Sequence, residues 1–136
     1  MNFGGKATLG QGTRIANKGI LYFGDDFRIT ANSSVICYKS ISFGKDCLVS
    51  WNCRFMDTDF HKIFDAQKQR TNQDSEIVVE DHVWIGSESL ILKGTQIAKD
   101  NVVAANSILS GTKINENSVV VGSFGKALKR NVTWKP

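Results

Sequence analysis

The chain is poor in several residues that usually announce a function. Among 136 residues there are two histidines, three cysteines and one proline, which is the last residue. Two histidines cannot supply the three imidazoles that zinc hydration chemistry normally needs within a subunit, so no metal is expected. Cys37, Cys47 and Cys53 are an odd set without paired spacing, which argues against a disulfide framework and fits a reducing cytoplasm. No run of 18 apolar residues exists, so no membrane span is expected. The opening Met1-Asn2-Phe3-Gly4-Gly5 lacks the charged and apolar regions of a secretory signal. The net charge of +4 is spread along the chain without a basic–aromatic module, so no nucleic-acid partner is expected.

What the chain does have is a period. Val79, Ile85, Ile91, Ile97, Val103 and Leu109 follow one another at a step of six. A small side chain or short amide sits four residues after most of them: Val83, Ser89, Thr95, Asn101 and Ser107. A helix repeats at 3.6 and a half-buried strand at two. A step of six means short strands joined by tight corners of fixed length, stacked so that one column of aliphatics is buried. The reading is an all-β parallel β-helix, a single domain over residues 1–136.

Weaker runs precede it: Leu9, Ile15, Leu21; then Phe23, Ile29, Val35; then Phe43, Val49, Phe55. They are separated by slips of two, and an even slip keeps the inward face inward. Cys47 and Cys53 fall at the small-residue position, which reads as buried small hydrophobes rather than nucleophiles. The period stops over residues 56–76, a polar stretch read as a loop pushed out from one corner and, at that length, as functional. After Ser110 the pattern loosens into one irregular coil over Ile114 to Val121. The basic tail from Gly122 is expected to cap the open end.

Val83-Trp84-Ile85-Gly86-Ser87, Val103-Ala104-Ala105-Asn106-Ser107 and Gly122-Ser123 with Lys126 resemble the hexapeptide-repeat acetyltransferases, in particular the maltose, galactoside and polysaccharide O-acetyltransferases. Asp57-Thr58-Asp59-Phe60-His61 is similar to the catalytic-histidine segment of the polysaccharide-modifying branch. One departure is Phe124, where the family tail usually carries proline. The resemblance implies a left-handed coil, a homotrimer with active sites between subunits, and acetyl-CoA as co-substrate.

Acetyl transfer to a hydroxyl needs a base, an oxyanion donor and a groove for the coenzyme. Of the two histidines, His61 lies in the protruding loop and His82 on an outward-pointing repeat turn; with the resemblance, His61 is the base. Asp59 is a candidate to orient its ring, as is a backbone carbonyl. Trp84, next to inward Ile85, should face outward as a cleft wall or a subunit contact. By resemblance Ser87, Ala105 and Ser110 line the pantetheine arm, while Lys126, Lys129 and Arg130 meet the coenzyme phosphates. Asn32 and Arg70 are candidates for the acceptor. The expected reaction is O-acetylation of a sugar or cell-envelope polysaccharide precursor in a ternary complex. N-acetylation of a nucleotide-linked amino sugar and a non-catalytic structural solenoid are the alternatives.

Overall fold

The computed structural model describes residues 1–136. Seventeen short strands wind into six coils, and an eighteenth caps one edge. The coils are β1 (Asn2–Phe3), β2 (Ala7–Leu9), β3 (Arg14–Asn17); β4 (Ile20–Phe23), β5 (Phe27–Ile29), β6 (Ser34–Cys37); and β7 (Ser40–Phe43), β8 (Leu48–Val49), β9 (Arg54–Met56). Then follow β10 (Ile77–Val79), β11 (Trp84–Ile85), β12 (Leu90–Leu92); β13 (Gln96–Ile97), β14 (Val102–Val103), β15 (Ile108–Leu109); and β16 (Lys113–Ile114) with β17 (Val119–Val121). Each third strand stacks in parallel on the same face, giving three sheets. The first face holds β1, β4, β7, β10, β13 and β16, the second β2 to β17, and the third β3 to β15.

From the second coil onward the six-residue step is the interior, while Phe3, Leu9 and Ile15 continue the ladder at the open first coil and stay exposed or half-buried. Phe3, Phe23, Phe43, Val79, Ile97 and Ile114 pair rung by rung on the first face. Leu9, Ile29, Val49, Ile85, Val103 and Val121 do so on the second, and Ile15, Val35, Phe55, Ile91 and Leu109 on the third. Phe23 and Phe43 stack with centroids 5.5 Å apart and planes within 5°. Each fully buried side chain of this kind contributes about 1.5–3 kcal/mol, whereas an exposed ion pair contributes roughly 0–1, so the ladder carries the fold. The slips of two have a cause: the longer strands β4, β7 and β10 add a second inward rung, Leu21, Ile41 and Ile77, all fully buried.

The corners explain the small residues. Gly12, Asn32, Asn52, Glu88 and Asn106 stack at the corner between the second and third faces, each with φ between +54° and +76°. Asp26, Asp46, His82, Asp100 and Ser118 do the same between the first and second faces, at φ +53° to +64°. Asn and Asp accept this left-handed backbone more readily than most residues. Backbone N–H groups of the later corner residues donate to the coil before, as Asn52 does to Ala31 and Asn106 to Ser87. Ser89, Asn101 and Ser107 are buried beneath them, and Thr95 is buried at the corner between the third and first faces.

Residues 57–76 leave the column at the corner between the third and first faces. Met56 still belongs to β9, paired with Ile36 and Leu92, so the excursion starts one residue later than expected. The excursion is also not structureless: Phe64 and Arg70 form an antiparallel bridge, and Asp65 caps the intervening turn through Gln67 and Gln69 N–H, both 2.9 Å. At the far end β18 (Ala127–Arg130) pairs antiparallel with β17 and covers that edge of the second face, as the tail was expected to do. The turn leading into it holds Phe124 at φ +60°, a conformation closed to proline, whose ring fixes φ near −65°.

Candidate functional site

The loop is fixed from its root. Asp57 is fully buried, and its carboxylate accepts from the N–H groups of Tyr38, Lys39 and Ser40 at 2.7, 2.8 and 2.7 Å. Its carbonyl accepts from Ser75 N–H, which closes the base of the excursion. Asn72, buried inside the loop, donates to the His61 carbonyl at 2.7 Å and to Asp59 Oδ2 at 2.9 Å, and accepts from Ile63 N–H at 2.7 Å. Lys93, on the next coil, donates to the same Asp59 oxygen. Phe60 packs edge-on against Tyr38 at 5.0 Å.

His61 is thereby held on the outside of the column, exposed, with no hydrogen bond from its ring to the rest of the chain. Phe60, Ile63 and Phe64 are exposed around it at 50, 59 and 57%. Asp59 makes no hydrogen bond to the ring: its carboxylate is taken by Lys93 and Asn72. The Lys93 bond first, and the Asn72 bond second, hold that carboxyl below its usual range. Arg70 is also turned inward to the loop, toward Asn72, Gln73 and Asp74.

The expected coenzyme residues divide between two corners. Ser87 and Ala105 occupy the corner between the second and third faces on successive coils, linked by the Asn106 N–H bond to Ser87 O at 2.8 Å. Gly86 permits this close stacking, since a Cβ there would lie 2.6 Å from Ala105 N and 2.7 Å from Val103 O. The next residue in the row is Ser123, which accepts from Ile108 N–H at 3.1 Å. Ser110, in contrast, follows β15 and sits at the opposite end of the third face. The step from Leu109 to Ile114 is five, not six, and the row continues at a step of 18 through residues 87, 105 and 123.

Lys126 and Lys129 are exposed on the capping tail, whereas Arg130 is bonded to Glu116 at 2.9 Å. Trp84 points outward from the second face as expected, its indole N–H donating to Ser50 Oγ at 3.0 Å. A second tryptophan that no periodicity marks, Trp134, packs beside it at 6.1 Å. Asn32 lies at the left-handed corner of the second coil, in the wall of a cavity of about 360 Å³. His61 does not line that cavity.

No family model matches the chain. It is 28% identical over 141 residues to the protein of Escherichia coli (strain K12) named "Putative lipopolysaccharide biosynthesis O-acetyl transferase WbbJ", the match covering 96% of this chain and 71% of that one. It is 30% identical over 111 residues to an uncharacterized 24.8 kDa protein in the cps region of Klebsiella pneumoniae, covering 82% of this chain and 49% of that one. The chain spans between 26 and 53% of the other relatives it matches. Among solved structures, a hexapeptide-repeat-containing acetyltransferase from Vibrio cholerae, complexed with acetyl coenzyme A, shares the fold at a TM-score of 0.73 and 23% identity, covering 98% of this chain and 73% of that one. The chain is thus similar in sequence to proteins named as O-acetyltransferases and shares the fold of a hexapeptide-repeat-containing acetyltransferase.

Proposed function

We propose that the chain transfers an acetyl group from acetyl coenzyme A to a hydroxyl of a sugar or cell-envelope glycan precursor, with His61 as general base. The observation that carries this reading is the state of His61: exposed, unbonded at its ring, yet fixed through its backbone by Asn72. A base must meet its substrate with a free nitrogen and a defined position. The names of the sequence relatives, one in lipopolysaccharide biosynthesis and one in a cps region, support a glycan acceptor.

In this scheme His61 takes the acceptor hydroxyl proton as that oxygen bonds to the thioester carbonyl carbon. The carbon–sulfur bond breaks, and the imidazolium returns the proton to the departing sulfur. No covalent enzyme intermediate is needed. The small-residue row Ser87, Ala105 and Ser123 suits a linear pantetheine arm lying close to the backbone, and Lys126 and Lys129 suit the coenzyme phosphates.

The row and the His61 loop leave the column at opposite ends of the third face. One copy therefore presents the base and its neighbour the coenzyme groove, which favours a closed homotrimer with three equivalent clefts. The exposed Phe60, Ile63 and Phe64 supply apolar surface for that contact.

The test is thiol release from acetyl coenzyme A with a panel of sugar acceptors. His61→Ala should lower the rate about 10²–10⁴-fold, the usual weight of a general base. An unchanged rate removes His61 from the mechanism.

A further inference from the structure

The cavity beside Asn32 is lined by an unusual charge arrangement. Arg14, Ser34 and Arg54 are the first, outward residues of β3, β6 and β9 and stand on three successive rungs. The two arginines are thus two rungs apart, about 10 Å at a strand spacing of about 4.8 Å. Neither guanidinium has a carboxylate partner: the ion pairs of the chain involve Arg28, Arg70, His82, Lys93 and Arg130. The one carboxylate in the cavity wall, Glu88, is engaged by Asn52 Nδ2 at 2.8 Å. Asn32 and the buried Ser34 add polar groups between the two cations.

Two unpaired guanidiniums facing one cavity suit an oxyanion that both can bond, since the planar fork matches carboxylate and phosphate geometry. Amides and a hydroxyl beside them suit ring hydroxyls. A volume of about 360 Å³ holds a monosaccharide unit. The cavity also lies on the same corner as Ser87 and Ala105, immediately before them along the column. We infer that it is the acceptor subsite, and that the acceptor is a saccharide carrying a carboxylate or phosphate held by Arg14 and Arg54. The inference rests on the acetyl-transfer reading for the role of the ligand, but not for its binding.

The experiment titrates the ¹⁵N-labelled full chain with methyl glucuronoside, glucose 1-phosphate and methyl glucoside, without coenzyme. At least one anionic sugar should bind about tenfold or more tighter than the neutral one. Whichever binds tighter identifies the carboxylate or the phosphate source. The largest shifts should fall on residues 12–14, 32–34, 52–54 and 88–90. Arg14→Gln with Arg54→Gln should remove the preference, while Arg28→Gln, on another face, should leave it. Equal binding of neutral and anionic sugars, a preference that survives both substitutions, or shifts centred on Lys126 and Lys129 would overturn the inference. The two readings fail separately. Anion binding at the cavity without thiol release sinks acetyl transfer and leaves the subsite. Thiol release with neutral sugars, unaffected by the arginine substitutions, sinks the subsite and leaves acetyl transfer.

Discussion

The rings of His82 and Trp134 lie face to face, with centroids 4.2 Å apart and planes within 9°. They are 52 residues apart in sequence, and the Trp134 indole N–H donates to the His82 carbonyl at 2.9 Å. Asp100 holds the imidazole edge at 3.0 Å. The stack ties the end of the chain back across the coils that carry Trp84. Only 6% of Trp134 is exposed, so Trp134→Ala should cost about 3 kcal/mol, the lower end for deleting a buried large aromatic. Equilibrium urea unfolding should show the loss, and Trp84 emission should shift to longer wavelength as its neighbour is removed. An unchanged midpoint would mean that the tail is not docked in solution.

Asp57 makes a second prediction. Its carboxylate serves three N–H groups at the corner of the preceding coil. Asp57→Asn presents an NH₂ where an acceptor is needed and leaves at least one buried donor unmatched. The expected cost is roughly 2–3 kcal/mol. The same unfolding curves measure it, and Asp57→Ala should cost at least as much. Because the corner and the His61 loop share this residue, proteolysis within residues 57–76 should quicken in both variants.

The Asp59–Lys93 contact gives the loop a pH dependence of defined sign. The Asp59 carboxyl titrates below its ordinary value because Lys93, and then Asn72, favour its charged form. A depressed folded value contributes order that is present above the unfolded value, near 3.9, and is lost as pH falls through the folded value. The contact is substantially exposed, so the contribution is small and weakens with salt. Carbon-detected NMR should find the Asp59 midpoint below about 3.9, and Lys93→Met should move it up. No movement would mean that the bond does not persist in water.

The three thiols should be silent in the native state. Burial raises Cys47 to about 12, and burial raises Cys37 and Cys53 to about 11, the Asp57 charge adding to it at Cys37. The thiolate is the reactive form, so a thiol reagent at pH 8 should label none of them quickly. In denaturant all three should react. Fast native labelling of any one would contradict the closed interior.

The column was legible because inward residues recur every six positions and a buried position tolerates few substitutes. The slips of two were visible as breaks, but their meaning, a second inward rung at Leu21, Ile41 and Ile77, emerged only from the pairing. Ser110 follows β15 and so lies at the corner after the third face, away from Ser87 and Ala105, a difference that similarity of short motifs does not register. Asn72 and Trp134 carry no periodic signal, since their partners are set by the path of a loop and a tail. The pair Arg14 and Arg54 was hidden for a different reason. The two residues share a face only because the early coils are 20 residues long, and polar outward residues do not report coil length.

The left-handed corner residues Gly12, Asn32, Asn52, Glu88 and Asn106 also act as a ruler. Four steps of about 4.8 Å graduate one edge of the molecule over about 19 Å, and the ladder behind them prevents the marks from sliding. An extended molecule laid along that edge meets one polar side chain at each graduation after Gly12. Preference for a new partner can then be acquired a single mark at a time, with every other contact left where it was.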